Sequence, residues 1–294
     1  ELLQGALDFV NLPLHHQLVH IDRTFTRYGR AMQARRRADE IVYAEIARRR
    51  VARASAGSDR GGHDVLDLLL DAGVPASAAT VDPGRPAQQD QVRNTEDAGG
   101  DGGLSDTELR DQVVSLVAAG YDTTSAAVGW AVHELVTRPD AWRRVAAEVA
   151  EAVGDDPITP EVLPRLPYLD GVVREVLRLH AAALVARRSL RDFEIGGRRI
   201  PAGRMVLYSP YVTHRLPDLW PESSAFRPER WLPGAPGYVG PPPFASVPFG
   251  GGYRRCIGFG LATFEIKVAV VRLVQRTALE PLTRHIPATG VAAN

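Results

Sequence analysis

A long stretch without proline constrains the fold of this chain more than any other feature. Ser105 and Glu108 form an S-x-x-E capping box, a pattern typical of a helix start. No proline follows until Arg138-Pro139, where a helix has to end. The pattern predicts one helix from Ser105 to Thr137, which is long enough to cross an entire domain.

Further helical patterns lie on both sides of this segment and predict a mainly α-helical chain. The predicted helices are residues 1–56, 63–72, 105–137, 139–153 and 168–180, followed by an amphipathic helix after Cys256. In between, Gly196-Gly197 separates two short extended runs, which indicates a two-residue hairpin over residues 192–200. Residues 205–211 form another extended run, and residues 232–248 are too rich in proline and glycine for regular structure. The fold class predicted is therefore mainly α with small β-sheets (α+β).

Composition predicts one domain over residues 1–294 with a flexible insertion. Residues 76–103 are rich in alanine, proline, glycine, aspartate and glutamine and show no apolar period, as in a linker. Helices occupy residues 1–75 before it. Residues 104–294 contain the long helix, the β region and the glycine-rich segment discussed below.

The charge and the cysteine content limit which partners the chain can bind and in which cellular compartment we expect it. The 35 basic and 35 acidic residues give a net charge of zero, so nothing draws the chain toward nucleic acid or an anionic membrane. Cys256 is the sole cysteine, which excludes an internal disulfide and favours a cytoplasmic location. Gly120 and Asp122 interrupt the most apolar stretch, residues 113–132, which predicts a core helix and no membrane span.

A glycine-rich segment delivers that cysteine to the start of the last helix. It reads Phe249-Gly250-Gly251-Gly252-Tyr253-Arg254-Arg255-Cys256-Ile257-Gly258. Its glycines permit positive φ and close backbone approach, while the helix N-terminus and the arginines favour a thiolate. A large flat anionic cofactor suits such a loop, with arginine for carboxylates and sulfur for iron. The alternative, a buried apolar cysteine beside a phosphate-binding loop, explains the combination less well.

Two other segments indicate a function only when they are considered together with this loop. Glu175 and Arg178 share a helix face, and in isolation they would be an ordinary surface ion pair. Gly120 and the pair Thr123-Thr124 are poor choices for a helix interior, where a hydroxyl can bond a backbone carbonyl and bend the helix. The alternative there is a locally weak helix with a surface contact between Asp122 and threonine.

Together these segments resemble the cytochrome P450 family. The glycine-rich segment fits its haem-binding signature F-G-x-G-x-R-x-C-x-G at every specified position, and residues 119–124 fit its A/G-G-x-D/E-T-T/S pattern. Glu175 and Arg178 fit its E-x-x-R pattern, followed, as in the family, by a P-E-R-F-like segment at residues 226–231. The resemblance implies the cytochrome P450 fold and haem b as the cofactor.

The family roles transfer to the matching positions of this chain. Cys256 would be the metal ligand, Arg254 would bind a haem propionate, and Phe249 would pack near the sulfur, with Gly250 and Gly258 shaping the loop. The second propionate would bind Arg187 or its neighbour Arg188. The remaining roles are a proton relay by Asp122 and Thr123, a structural network of Glu175, Arg178 and Arg230, and an apolar substrate pocket lined by Ala119, Ala183, Leu184 and Val185. His180 and His214 are interpreted as core or supporting residues.

The resemblance implies a haem-thiolate monooxygenase that inserts one oxygen atom of O2 into an apolar substrate such as a fatty acid, terpenoid or steroid. Electrons would come from a ferredoxin or a flavoprotein reductase. Family members are longer, so the resemblance implies that the N-terminal part is missing here and that little chain remains for the C-terminal hairpin. Two alternatives stay open: a non-catalytic or truncated haem-binding remnant, and a peroxide-using or rearranging haem-thiolate enzyme.

Overall fold

The computed structural model describes residues 26–55, 64–71, 103–181, 184–235, 238 and 240–280. The helices are α1 (Arg27–Ser55), α2 (Val65–Asp71), α3 (Asp106–Val136), α4 (Pro139–Ala152), α5 (Pro167–Leu179), α6 (Pro210–Thr213) and α7 (Phe259–Arg276). The strands are β1 (Val185–Arg188), β2 (Phe193–Ile195), β3 (Arg198–Ile200) and β4 (Met205–Tyr208), and short 3-10 helices occupy Pro160–Arg165, Pro228–Trp231 and Gly252–Arg254. The prediction of a mainly α fold with small β-sheets is confirmed.

The chain divides into two compact units, residues 1–119 and 120–294. The predicted linker lies outside the described residues except at Gly103, and so does the first part of the helix predicted from residue 1. The single domain therefore stays a prediction. Within the described ranges, no helix is both long enough and apolar enough to cross a membrane.

In the first unit, ion pairs join α1 to α2. Arg49 binds Asp64 and Asp67, with N–O distances of 2.6 and 2.9 Å, and Arg53 binds Asp71 at 2.7 Å. The arginines of α1 thus face carboxylates at the start of α2 and within it, and these ion pairs join the two helices.

The long helix α3 begins where its capping box predicts. The amide of Glu108 donates to Ser105 Oγ at 3.2 Å, and the amide of Ser105 donates to Glu108 Oε2 at 2.9 Å. Two backbone donors at the helix start are satisfied reciprocally, which fixes the first turn.

The core of the second unit lies between α4, α5 and α7, with the end of α3 packed against it. Each helix buries apolar residues at steps of three and four, the spacing of one helical face. The fully buried residues include Leu135, Val145, Val149, Leu169, Val172, Val173, Val176, Ile266, Val270 and Val271. The steps of three and four along the last helix predict an apolar face of Leu261, Phe264, Val268, Val271 and Val274. That prediction is only partly right, because Leu261 is 63% exposed.

A buried ion pair joins α5 to α7. Lys267 is only 7% exposed, and its ammonium donates to Asp170 Oδ1 at 2.5 Å. Arg174 binds the other carboxylate oxygen of Asp170 at 2.6 Å. A lysine can occupy the apolar side of α7 because a carboxylate on the facing helix balances its charge.

The start of α5 is capped from another helix. Its preceding residue, Leu166, offers no side-chain acceptor. Instead, the amides of Tyr168 and Leu169 donate to the two carboxylate oxygens of Glu148 on α4, at 2.7 and 2.8 Å. A negative charge at a helix N-terminus is favourable, so this contact both satisfies the first turn of α5 and fixes it against α4.

Two small antiparallel sheets follow α5. Strands β2 and β3 form the predicted hairpin, with Gly196 and Gly197 at φ 55° and 73° in its turn. Strand β4 pairs with β1, a strand that the sequence patterns did not indicate. The extended run predicted over residues 205–211 ends early, because Ser209 Oγ accepts the Val212 amide at 3.2 Å and starts α6.

Candidate functional site

The glycine-rich segment forms a closed loop that presents the Cys256 thiol to the outside of the second unit. The amide of Cys256 donates to the carbonyl of Phe249 at 2.9 Å, which joins the two ends of the loop. Gly250 and Gly252 adopt φ values of 69° and 62°, which residues with a side chain rarely adopt. Gly258 caps α7, and a Cβ there would lie 3.9 Å from the Cys256 sulfur.

The surroundings of the thiol combine exposed apolar side chains with arginine. Phe244 and Ile257 are 79% and 87% exposed, although side chains of this size are normally buried in a core. Arg254 is exposed on the short 3-10 helix that precedes the cysteine. The ring of Phe249 packs edge-on to Phe259 at the start of α7, with 6.3 Å between ring centroids.

A charge network lies in the interior of the same unit. Glu175 and Arg178 are fully buried and bind each other through two parallel hydrogen bonds of 2.8 and 2.9 Å. Arg230 Nε donates to Glu175 Oε1 at 2.9 Å. The structure thus brings together the three residues of the expected network, and the fork of each arginine points at a carboxylate or carbonyl acceptor.

Arg178 also fixes the irregular chain that follows α6. Its Nη1 donates to the carbonyls of His214 and Ser223, both at 2.7 Å, and its Nη2 donates to the carbonyl of Ala225 at 3.1 Å. Its guanidinium stacks over the ring of Trp220 with 5.2 Å to the centroid. One side chain therefore positions a segment whose own backbone hydrogen bonds are confined to turns.

Two further donors to Glu175 were missed at the sequence level. The indole N–H of Trp231 donates to Glu175 Oε2 at 2.9 Å, and the amide of Arg227 donates to Glu175 Oε1 at 3.0 Å. A tryptophan directly after Arg230 was the available signal, because a partly buried indole N–H needs an acceptor. From the part of the chain that the structure describes, the carboxylate of Glu175 accepts five hydrogen bonds.

The remaining predicted residues are spread over other elements. Asp122 and Thr123 lie side by side on α3, which continues through them without interruption. Arg187 is exposed on β1, where its backbone pairs with Val206. Among the expected pocket residues, Ala119 is exposed at the end of the first unit. Leu184 is 57% exposed, and Val185 is the first residue of β1. Ala183 lies outside the described residues.

Comparison with known proteins decides the family. A model of the family described as cytochrome P450 matches residues 8–289. The chain belongs to the cytochrome P450 family. This P450 chain is 40% identical over 299 aligned residues to proteins named cytochrome P450 139 of Mycobacterium tuberculosis and Mycobacterium bovis. The alignment covers 100% of this chain and 62% of those relatives.

More distant relatives come from bacteria and animals. Cyclooctat-9-en-7-ol 5-monooxygenase of Streptomyces melanosporofaciens is 39% identical over 181 residues, which is 61% of this chain and 39% of that protein. Cytochrome P450 3A29 of Sus scrofa is 39% identical over 180 residues, which is 60% of this chain and 35% of that protein. The P450 chain therefore spans less than two thirds of each relative.

Proteins of this family bind haem b through a cysteine thiolate. The residues present fit that group. The loop exposes a single thiol, glycines with positive φ remove side chains from the turn leading to it, and Phe244 and Ile257 offer apolar surface suited to a flat macrocycle. An arginine, Arg254, lies two residues before the thiol, where it suits a carboxylate.

Proposed function

We propose that the protein is a haem-thiolate monooxygenase in which Cys256 would bind the haem iron as a thiolate. The observation that carries this proposal is the exposed Cys256 thiol, held on a closed glycine loop immediately before α7. The loop contains every specified residue of the family signature, and the thiol is the sole one in the chain.

The proposed roles of the residues near Cys256 follow from where each residue lies in the structure. Phe249 closes the loop through its carbonyl and packs on Phe259, so it shields the sulfur side of the site. Gly250 and Gly258 keep the backbone close to the cofactor. Arg254 is proposed to bind one propionate and Arg187 the other, because each is exposed and carries a guanidinium suited to a carboxylate.

Bound there, haem b supplies the activation of dioxygen, so that two electrons and two protons convert O2 and a C–H bond into an alcohol and water. Asp122 and Thr123 are proposed to deliver those protons. An acid and an alcohol next to each other on one helix can pass a proton in steps. The role of Glu175, Arg178 and Arg230 is structural: they hold the chain that leads into the cysteine loop.

The proposal extends to the class of substrate and to the electron donor. Leu184 and Val185 at β1, together with Ala183, are proposed to contact an apolar substrate of the fatty acid, terpenoid or steroid type. The name of the Streptomyces relative, a monooxygenase of cyclooctat-9-en-7-ol, supports the reaction class. We propose a ferredoxin or flavoprotein reductase as the electron donor and a cytoplasmic location.

The decisive experiment is the spectrum of the reduced, haem-loaded protein under carbon monoxide. A strongly red-shifted Soret band is expected for thiolate ligation. Cys256→Ser should lose that band, because a serine hydroxyl stays protonated near neutral pH and is a poor iron ligand. Thr263→Ala on α7 is the control: its hydroxyl bonds the Phe259 carbonyl at 2.7 Å, and its loss should leave the band in place. An unchanged band in Cys256→Ser would remove this residue from the ligand role.

A further inference from the structure

His214 connects the charge network to the cysteine loop. It is fully buried and follows α6 directly. Its Nδ1 lies 3.0 Å from the carbonyl oxygen of Arg178, and its Nε2 lies 2.8 Å from the amide nitrogen of Val247. The imidazole therefore bridges the backbone of α5 and the chain that enters the loop.

These two contacts fix the proton on the ring. A carbonyl oxygen can only accept, so Nδ1 must carry the hydrogen and donate to Arg178. A backbone amide can only donate, so Nε2 must be unprotonated and accept from Val247. Protonation of Nε2 would place two N–H groups opposite each other, and the bond to Val247 would be lost.

Val247 is the residue at which the chain turns into the cysteine loop. Its carbonyl accepts the amide of Gly250 at 3.0 Å, and the loop then closes between Phe249 and Cys256. The bond from His214 thus holds the first residue of the turn. A shift there would move the whole loop, because the loop is anchored by few other described backbone bonds.

We propose that His214 is a positioning residue for the cysteine loop and that only its neutral form holds the loop in place. The inference rests on the proposed role of Cys256 as haem ligand. It assigns to His214 an action through Val247, with no contact to the cofactor, and it makes the geometry of the thiolate site sensitive to acid.

The charges around the ring act in the same direction. The pKa of His214 is lowered to about 4, because burial and the positive charges of Arg178 and Arg215 disfavour the protonated ring more than the hydrogen bond to the Arg178 carbonyl favours it. The guanidinium of Arg178 is itself bound to Glu175. Since the pKa in the fold is below the value of about 6.5 for a free histidine, stabilisation is complete above that pH and is lost as pH falls toward 4.

Two substitutions separate the hydrogen bond from the charge. His214→Gln keeps a side-chain donor and acceptor but cannot gain a proton, whereas His214→Leu removes both groups. His133→Gln is the matched control, because His133 lies on α3 and packs edge-on to Trp130, away from these contacts. The carbon monoxide spectrum of the reduced protein is measured between about pH 7.5 and 3.5, and the rate of haem transfer to apomyoglobin is measured at neutral pH.

The parent and His133→Gln should lose the red-shifted band reversibly as pH falls toward about 4, where His214 gains a proton in the folded protein. His214→Gln should keep the band at neutral pH and lose much less of it in acid. His214→Leu should release haem about tenfold faster at neutral pH, the factor expected for one buried hydrogen bond. If His214→Gln follows the acid profile of the parent, or if His214→Leu retains haem like the parent, the inference is wrong.

Amide hydrogen exchange separates this inference from the haem proposal. The measured quantity is the protection of the peptide containing Val247, corrected for the intrinsic effect of pH. In the parent this protection should be lower in acid than at neutral pH. In His214→Leu it should be lower than in the parent already at neutral pH. It should stay high in acid for His214→Gln. If protection changes in this way but the parent shows no red-shifted band, the link from His214 to Val247 is supported and the haem-thiolate function is overturned. A band in the parent with unchanged protection in all variants would overturn the link alone.

Discussion

Replacing Glu175 with glutamine tests how much the buried carboxylate stabilises the second unit. If the amide oxygen takes the place of Oε1, it keeps three of the five donors that now bind Glu175. The amide nitrogen then faces the N–H groups of Arg178 Nε and Trp231 Nε1, so two hydrogen bonds become donor–donor contacts. Two lost bonds to a charged group correspond to about 3–6 kcal/mol. Breaking a buried ion pair from one side costs about 3–5 kcal/mol.

We therefore expect the free energy of unfolding to fall by about 4 kcal/mol and the melting temperature to fall by roughly 8–16 °C. Urea unfolding followed by tryptophan fluorescence suits the measurement, because Trp220 and Trp231 lie at the network. Glu229→Gln is the control: this glutamate pairs with Arg144, and both side chains are exposed, so the change should stay within about 1 kcal/mol. Equal urea midpoints for both variants and the parent would refute the reasoning.

Two other predictions concern packing and proton delivery. In Gly171→Ala the new Cβ would lie 2.7 Å from the Pro228 carbonyl oxygen, so the free energy of unfolding should fall by about 1–3 kcal/mol. In the control, Gly129→Ala, the new Cβ meets open space on α3, and the free energy of unfolding should rise slightly. A parallel shift in urea midpoint for both would contradict this. Thr123→Ala should keep the carbon monoxide spectrum but form less product and more peroxide per reductant consumed; Thr124→Ala should do so less, since it points about 100° away. Parent-like coupling in Thr123→Ala would favour a peroxide-using or rearranging enzyme.

Local signals in the sequence were sufficient for several elements. The capping box of Ser105 and Glu108 located the start of α3, and the pair Gly196-Gly197 located the hairpin turn, because both depend on residues a few positions apart. Such contacts form within one turn, so the residue types alone indicate them. The short strand β1 gave no such signal. Its four residues form a strand because they pair with β4, which lies further along the chain.

Long-range contacts explain what the sequence did not show at the site. The contact between His214 and Val247 and that between Trp231 and Glu175 join segments far apart in the chain, and neither residue type indicates its partner. The buried side of α7 also depends on a long-range contact. Lys267 lies on the buried side only because Asp170 on α5 balances it, which periodicity of apolar residues cannot show.

The position of Lys267 has a consequence for chemical labelling. It is the sole lysine of the chain, and its ammonium is enclosed between α5 and α7 with Asp170 as its partner. Reagents that acylate side-chain amines need a free, unprotonated nitrogen, so the folded protein should resist them at this position. The rate at which Lys267 becomes acylated therefore reports how often α5 and α7 separate, and a single labelled peptide suffices to follow that opening.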